Sequence, residues 1–264
     1  MRRPLTLRIV IMNIWMYSGL VLLTGLSMLV FMVLHPLNRL FRGMSRGESA
    51  RLAIWLYGKA WMLLIRPFAS FTREGLGHIP TRKPAIVVVN HLSFFDTYCM
   101  GGLPHSNVVF TVRAWPFRMP WYAPFMRMAG YVDMETDGME AGLERCKAQL
   151  AKGATVLFFP EGHRSRDGQL QRFYSGAFRL SQETGVPITP LCLSGTDRLL
   201  PPGTFYMAPA RIRMRALPPV CPECFPGESG HIAMRKAVKQ LMAAELEIMR
   251  ESAPGAASEE LACS

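Results

Sequence analysis

The run Ala85-Ile86-Val87-Val88-Val89 limits the fold more tightly than any other stretch of the chain. Five apolar residues, rich in β-branched side chains and preceded by Pro84, read as a fully buried strand. Further runs of similar character lie at 107–112, 155–159 and 188–193. Helical spacing fills 138–152, through Met139, Leu143, Cys146 and Leu150, and helices are also expected at 175–184 and 231–250. Arg211 to Ala216 alternates basic and apolar residues, as an edge or half-exposed strand does. Strands alternating with helices predict an α/β fold: a mixed, mostly parallel sheet flanked by helices.

What precedes the sheet is of a different kind. From Ile9 to Leu34 the chain runs 26 residues without a charged side chain, enough as a helix to cross a hydrocarbon core of about 30 Å. A clear small-residue cleavage site is absent, so a retained, membrane-embedded N-terminal helix is expected rather than a signal peptide. Arg2, Arg3 and Arg8 precede the run, and Arg39, Arg42, Arg46 and Arg51 follow it. That leaves a helix lying shallowly open, while the excess after the run favours a cytoplasmic body at the cell membrane. Of the net charge of +11, residues 1–80 hold +8 (ten Lys/Arg, two acids) and residues 81–264 hold +3 (twenty and seventeen). A basic half that is also apolar points to an anionic membrane surface and not to nucleic acid. Residues 52–71, with Trp55, Tyr57, Trp61, Lys59 and Arg66, read either as an interfacial helix or as a core helix. The expected division is an anchor and interfacial helix over 1–72, a catalytic domain over 73–252 and a flexible tail over 253–264.

Chemistry-bearing residues gather where two of the strands end. Behind Val89 comes Asn90-His91-Leu92-Ser93-Phe94-Phe95-Asp96, an imidazole and then a carboxylate five positions on. A proton acceptor with an orienting acid at the carboxyl end of a strand is a candidate catalytic pair. A hydrogen-bonded loop His and a helix-start Asp would look the same. Behind Phe159 comes Pro160-Glu161-Gly162-His163-Arg164-Ser165. If the two strands are parallel, both clusters emerge at one sheet edge, where α/β sheets bind ligands. Arg164 suits forked recognition of a phosphate or carboxylate, or else forms a surface ion pair with Glu161.

Three blocks, taken in order, resemble a known family. Asn90-His91 with Asp96, then Phe159-Pro160-Glu161-Gly162 with Arg164-Ser165, then Val186-Pro187-Ile188-Thr189-Pro190, are similar to those of the glycerolipid acyltransferases, which include bacterial 1-acyl-sn-glycerol-3-phosphate acyltransferases. The resemblance covers about residues 75–215. It implies transfer of a fatty acyl group from acyl-CoA or an acyl-carrier protein to a lysolipid hydroxyl in membrane lipid synthesis, with no cofactor and no metal. His91 is the implied general base and Asp96 the acid that holds its tautomer. Glu161, Gly162, Arg164 and Ser165 are the implied substrate-binding residues, with Arg164 on the acceptor's phosphate. The chemistry fits independently, since a hydroxyl attacks a thioester poorly until its proton is removed. Ser93 lies in the first block, but the family does not use it covalently, so direct attack is implied.

Departures from the pattern bear on the acceptor. His163 stands where the family has Thr, Glu135-Thr136 where it has an acid and Arg, and Tyr174 where it has Lys in Phe-Lys-x-Gly. Two missing cations predict a less anionic acceptor, such as an amino-acid-based lysolipid. Trp115 to Met128, rich in Met and aromatics around Arg118 and Arg127, reads as a membrane-dipping or acyl-groove segment, with core packing as the alternative. Among six cysteines, Cys221-Pro222-Glu223-Cys224 is a lone C-x2-C with only His231 nearby, short of a zinc set. Reduced thiols fit a cytoplasmic location. Two rivals remain: a metal-dependent hydrolase using His91, Asp96, Glu161 and His163, and a degenerate, lipid-binding scaffold.

Overall fold

The computed structural model describes residues 6–251 apart from Trp121, Arg166 and Pro202; the expected tail at 253–264 and Arg2 and Arg3 lie outside them. The apolar runs assemble into one sheet of β1 (Ala69–Glu74), β2 (Ala85–Val89), β3 (Val108–Val112), β4 (Val132–Asp133), β5 (Thr155–Phe158), β6 (Ile188–Ser194) and β7 (Ala210–Ala216). The order is β1-β7-β6-β2-β5-β3-β4. Strands β6, β2, β5, β3 and β4 run parallel, β7 runs against β6, and β1 is parallel to β7. All five residues of β2 are buried, as a central parallel strand covered on both faces requires.

The helices are α1 (Leu7–Arg42), α2 (Arg46–Ile65), α3 (Asp96–Cys99), α4 (Ala123–Ala129), α5 (Gly138–Ala151), α6 (Gly176–Thr184), α7 (Thr196–Leu199) and α8 (Gly230–Glu251). Helix α8 buries Met234, Val238, Met242, Leu246 and Met249, a stripe at helical spacing that packs on β6. Strand β7 is not an edge: β1 lies outside it, and its alternation reflects one buried face carrying Ala210, Ile212, Met214 and Ala216. Because β1 begins at Ala69, the sheet starts ahead of residue 73.

The two N-terminal helices form a hairpin. Gly43 in the left-handed region (φ 63°) ends α1, and a Ser45–Glu48 capping box starts α2. Trp15 Nε1 donates to Leu64 O at 3.0 Å, Thr24 Oγ1 lies 2.8 Å from Tyr57 OH, and His35 Nδ1 lies 3.0 Å from Ser49 Oγ. Helix α1 is thus fastened along α2 from its first turns to its last. It is long and apolar enough to cross a membrane and leaves Leu22, Leu26, Leu29 and Val33 exposed, yet Met12 and Met16 are fully buried in the body.

Residues 52–71 run through α2 to Ile65, then a turn and the start of β1; Gly58, Trp61 and Ile65 are buried, and Leu56 and Leu63 are exposed. Trp61 of α2 is fully buried and stacks on Phe95 (4.8 Å) and Tyr98 (5.3 Å). Gly58 meets the turn after α3 so closely that a Cβ there would sit 2.8 Å from Tyr98 O. Helix α2 therefore seats α3, which carries Asp96 at its first residue. Trp115 to Met128 is split: Ala123 and Met126 are buried, Trp115 is exposed, and Phe125 meets Phe31 of α1 edge-on at 5.4 Å. Trp121 in that segment is outside the described residues.

Candidate active site

Strands β2 and β5 are adjacent and parallel, so the polar clusters behind them leave the sheet at the same edge. Asn90 sets the exit: Nδ2 donates to Leu193 O and Oδ1 accepts the Leu193 N–H, both at 2.8 Å, tying the end of β2 to β6. The chain then turns outward at His91. Asp96 Oδ2 reaches back to accept His91 Nδ1–H at 2.8 Å, Leu92 N–H at 2.6 Å and Ser93 N–H at 2.8 Å. A carboxylate only accepts, so the ring hydrogen sits on Nδ1 and Nε2 is the basic nitrogen of the neutral imidazole. Asp96 is fully buried, whereas the His91 side chain is 18% exposed and stacks on Phe159 with centroids 4.3 Å apart.

Glu161 is held by backbone N–H groups on both oxygens. It is 1% exposed, with Oε1 accepting the His91 N–H at 2.7 Å and Oε2 the Gln171 N–H at 2.8 Å. Its carboxylate bridges the segments at His91, Glu161 and Gln171. Burial pushes the Glu161 carboxyl above the ordinary carboxylate range, opposed by those two N–H groups. Ser165 is also buried: its N–H donates to His91 O at 2.7 Å, and its hydroxyl lies 2.9 Å from Asp167 Oδ1 and 2.8 Å from Gln169 O. Gly162 makes the turn between them at φ 69°, where a Cβ would also strike the Tyr174 ring at 2.8 Å.

Arg164 and His163 point to solvent, and Arg164 has no hydrogen-bond or ion-pair partner among the described residues. They rim a cleft of about 500 Å³ whose near wall is Leu92 and Ser93 and whose far wall is Leu200, Pro201, Gly203 and Thr204. The edge thus brings together a braced His91–Asp96 pair, its acid fully buried, and a guanidinium with no partner among the described residues. Asn90, Phe159 and Gln171 complete the bracing. Asn90 and Phe159 lie inside the blocks, but Gln171 carries no signal of its own.

The departures also find partners. Glu135 accepts Arg113 Nε–H at 2.6 Å and Ala114 N–H at 2.9 Å, giving a neutral pair at the ends of β3 and β4. Tyr174 is exposed, and Ser175 Oγ accepts from Arg235 of α8 at 2.7 Å. Cys221 and Cys224 are exposed free thiols on either side of a short turn, while Cys99, Cys146 and Cys192 are buried. Among the described residues no three His, Cys, Asp or Glu side chains gather as a metal-ligand set.

Fold and sheet edge together define an acyltransferase-type α/β domain, and comparison with known proteins agrees. Residues 70–194 match the acyltransferase family model. The chain belongs to the glycerolipid acyltransferase family. It is 36% identical over 197 residues to the chloroplastic 1-acyl-sn-glycerol-3-phosphate acyltransferase BAT2 of Brassica napus, covering 69% of this chain and 54% of that protein. With the chloroplastic LPAT1 of Arabidopsis thaliana, also named a 1-acyl-sn-glycerol-3-phosphate acyltransferase, it shares 37% over 183 residues, 67% of this chain and 50% of the relative. The chain therefore spans about half the length of these relatives. The crystal structure of the 1-acyl-sn-glycerophosphate acyltransferase PlsC of Thermotoga maritima shares the fold, with a TM-score of 0.74, 24% identity, and coverage of 92% of this chain and 96% of that one.

Proposed function

We propose that this protein transfers a fatty acyl group from acyl-CoA or an acyl-carrier protein to the free hydroxyl of a lysolipid, 1-acylglycerol-3-phosphate being the first acceptor to test. The observation that carries the proposal is the His91–Asp96 pair, 2.8 Å apart, beside a cleft rimmed by Arg164, which has no partner among the described residues. The names of the relatives support the acceptor class. His91 Nε2 takes the hydroxyl proton as the oxygen attacks the thioester carbonyl, and buried Asp96 stabilises the resulting imidazolium. Collapse of the tetrahedral intermediate breaks the C–S bond, and the imidazolium proton goes to the departing thiolate. Products are the acylated lipid and the free thiol, with His91 neutral again. Arg164 holds the acceptor's phosphate as a charge-assisted partner.

Location follows from α1. A helix fastened along α2 cannot leave the body alone, so we place its exposed Leu22, Leu26, Leu29 and Val33 in the lipid of one membrane face. Exposed Arg39, Arg42 and Arg46 at its far end suit anionic headgroups on the cytoplasmic side.

A second reading, an acceptor with less negative charge such as an amino-acid-based lysolipid, rests on the neutral Arg113–Glu135 pair at the position of the family's acid and Arg. One experiment addresses both: mass spectrometry of lipid products from wild type and His91→Ala, offered both donors and a panel of lysolipids. Acyl transfer lost in the variant with lipid binding intact supports the enzyme against a scaffold. Undiminished transfer by His91→Ala would sink the base assignment, and chelator-sensitive phosphoester hydrolysis would favour the metallohydrolase. Acylation of lysophosphatidic acid alone would dismiss the second reading.

A further inference from the structure

Two asparagines hold the segment between β6 and β7, and one of them comes from α1. Asn90 clips the end of β6 through both atoms of its amide, as described above. Asn13 does the same at the far end: Nδ2 donates to Met207 O at 2.8 Å and Oδ1 accepts the Met207 N–H at 2.7 Å. Its Nδ2 also donates to Ile9 O at 2.7 Å, within the helix. One turn on, the Tyr17 hydroxyl donates to Phe205 O.

Between these clips the chain closes on itself. Ala208 N–H donates to Leu199 O at 2.8 Å, and Leu199, Met207 and Ala208 are buried, so the described residues of 199–208 leave and rejoin the body at one buried neck. Its body is the far wall of the cleft beside Arg164, and Phe205 is 90% exposed. A lone amide in the uncharged, apolar stretch from Ile9 to Leu34 is unfavourable unless its donors and acceptor are matched. Here they are matched by Ile9 O and by the backbone of Met207, in the neck of the loop that walls the cleft. A reciprocal amide pair fixes both distance and rotation, which a purely apolar contact would not.

We propose that Asn13 is a positioning residue for the acceptor cleft, locking its far wall to the apolar helix so that the cleft mouth is held at the lipid surface. The proposal rests on the acyl-transfer reading above and gives α1 a role beyond attachment. The lysolipid keeps its acyl chain in the membrane while its headgroup enters the cleft.

The test uses the full chain in lipid nanodiscs, wild type against Asn13→Leu, with Tyr17→Phe as a milder variant that leaves the helix intact. Amide hydrogen exchange at residues 205–207 should quicken about tenfold or more in Asn13→Leu, which loses two hydrogen bonds to Met207, and less in Tyr17→Phe. Amides of β2 and of the His91 loop should keep their rates. The acceptor KM should rise about fivefold while kcat moves far less. Unchanged exchange at 205–207 in both variants overturns the proposal. So does faster exchange without a change in acceptor KM, and so does loosening that spreads to the His91 loop and lowers kcat alone. A wild type that acylates no lysolipid defeats the acyl-transfer reading, whereas the exchange measurement reports on the Asn13 clip regardless.

Discussion

Replacing Glu161 with Gln should unfasten the loops that build the site while leaving the side-chain volume nearly unchanged. In the native protein both carboxylate oxygens face backbone donors, the His91 N–H at 2.7 Å and the Gln171 N–H at 2.8 Å. Glutamine offers one oxygen and one NH2, so one of those N–H groups meets another donor. The side chain is 1% exposed, and solvent cannot take the place of the lost oxygen. Hydrogen bonds to a charged acceptor contribute about 1.5–3 kcal/mol each, a neutral one about 0.5–1.5, and a stranded buried donor costs about 1–3. Against this, a neutral amide avoids the desolvation that holds the carboxyl above its ordinary range. A net loss of roughly 2–3 kcal/mol results when these opposing contributions are set together.

The perturbation reaches His91 directly through its own N–H, and a catalytic group misplaced by about 1 Å loses about 10²-fold in rate. Urea unfolding in detergent micelles should show a lower midpoint for Glu161→Gln at unchanged slope. Steady-state kinetics should show kcat reduced about 10–100-fold, with the acceptor KM within about twofold of wild type. The opposite pattern would refute the bridging role: a raised acceptor KM with kcat and midpoint unchanged. That result would place the carboxylate on the headgroup.

Other consequences follow from the same geometry. His91→Ala should lower kcat by about 10²–10⁴-fold with the unfolding midpoint little changed, and Asp96→Asn should do nearly the same because it leaves the imidazolium without its counter-charge. A kcat for Asp96→Asn equal to wild type would remove the carboxylate from the mechanism. Gly58→Ala should destabilise by about 1–3 kcal/mol, since its Cβ would press on backbone at Tyr98 O and Gly101 rather than on a side chain that can move; thermal unfolding measures it. Glu161 also sets a pH dependence. Because its carboxyl is raised by burial, the folded state binds that proton more readily than the unfolded chain, so stability rises as pH falls from neutral through the raised pKa and levels off below the unfolded one. The difference between wild type and Glu161→Gln, measured across that window, should shift in the wild type's favour as pH falls; a flat difference would contradict the assignment.

The central strands were legible because burial on both faces demands apolar residues throughout, and β2, β5 and β6 carry little else. Strand β1 was not. Ala69-Ser70-Phe71-Thr72-Arg73-Glu74 has a single fully buried residue, and it follows an apolar helix so closely that hydrophobicity shows no break. The alternation of β7 predicts an edge or half-exposed strand, and its exposed face fits without the edge, because β1 covers that edge. In the site, the pairing of His91 with Asp96 showed as a spacing, because both partners are side chains of a single short loop. The backbone contacts of Glu161 did not show, nor did those of Asn13. Their partners are backbone groups 70 and 10 residues away in one case and 194 in the other. Every residue offers much the same backbone, so such a partner leaves no mark at its own position in the chain. A polar residue that grips backbone across the fold therefore looks, in sequence, like one waiting for a ligand. Glu161 reads that way in the sequence, and the kcat-against-KM split of Glu161→Gln distinguishes the two cases.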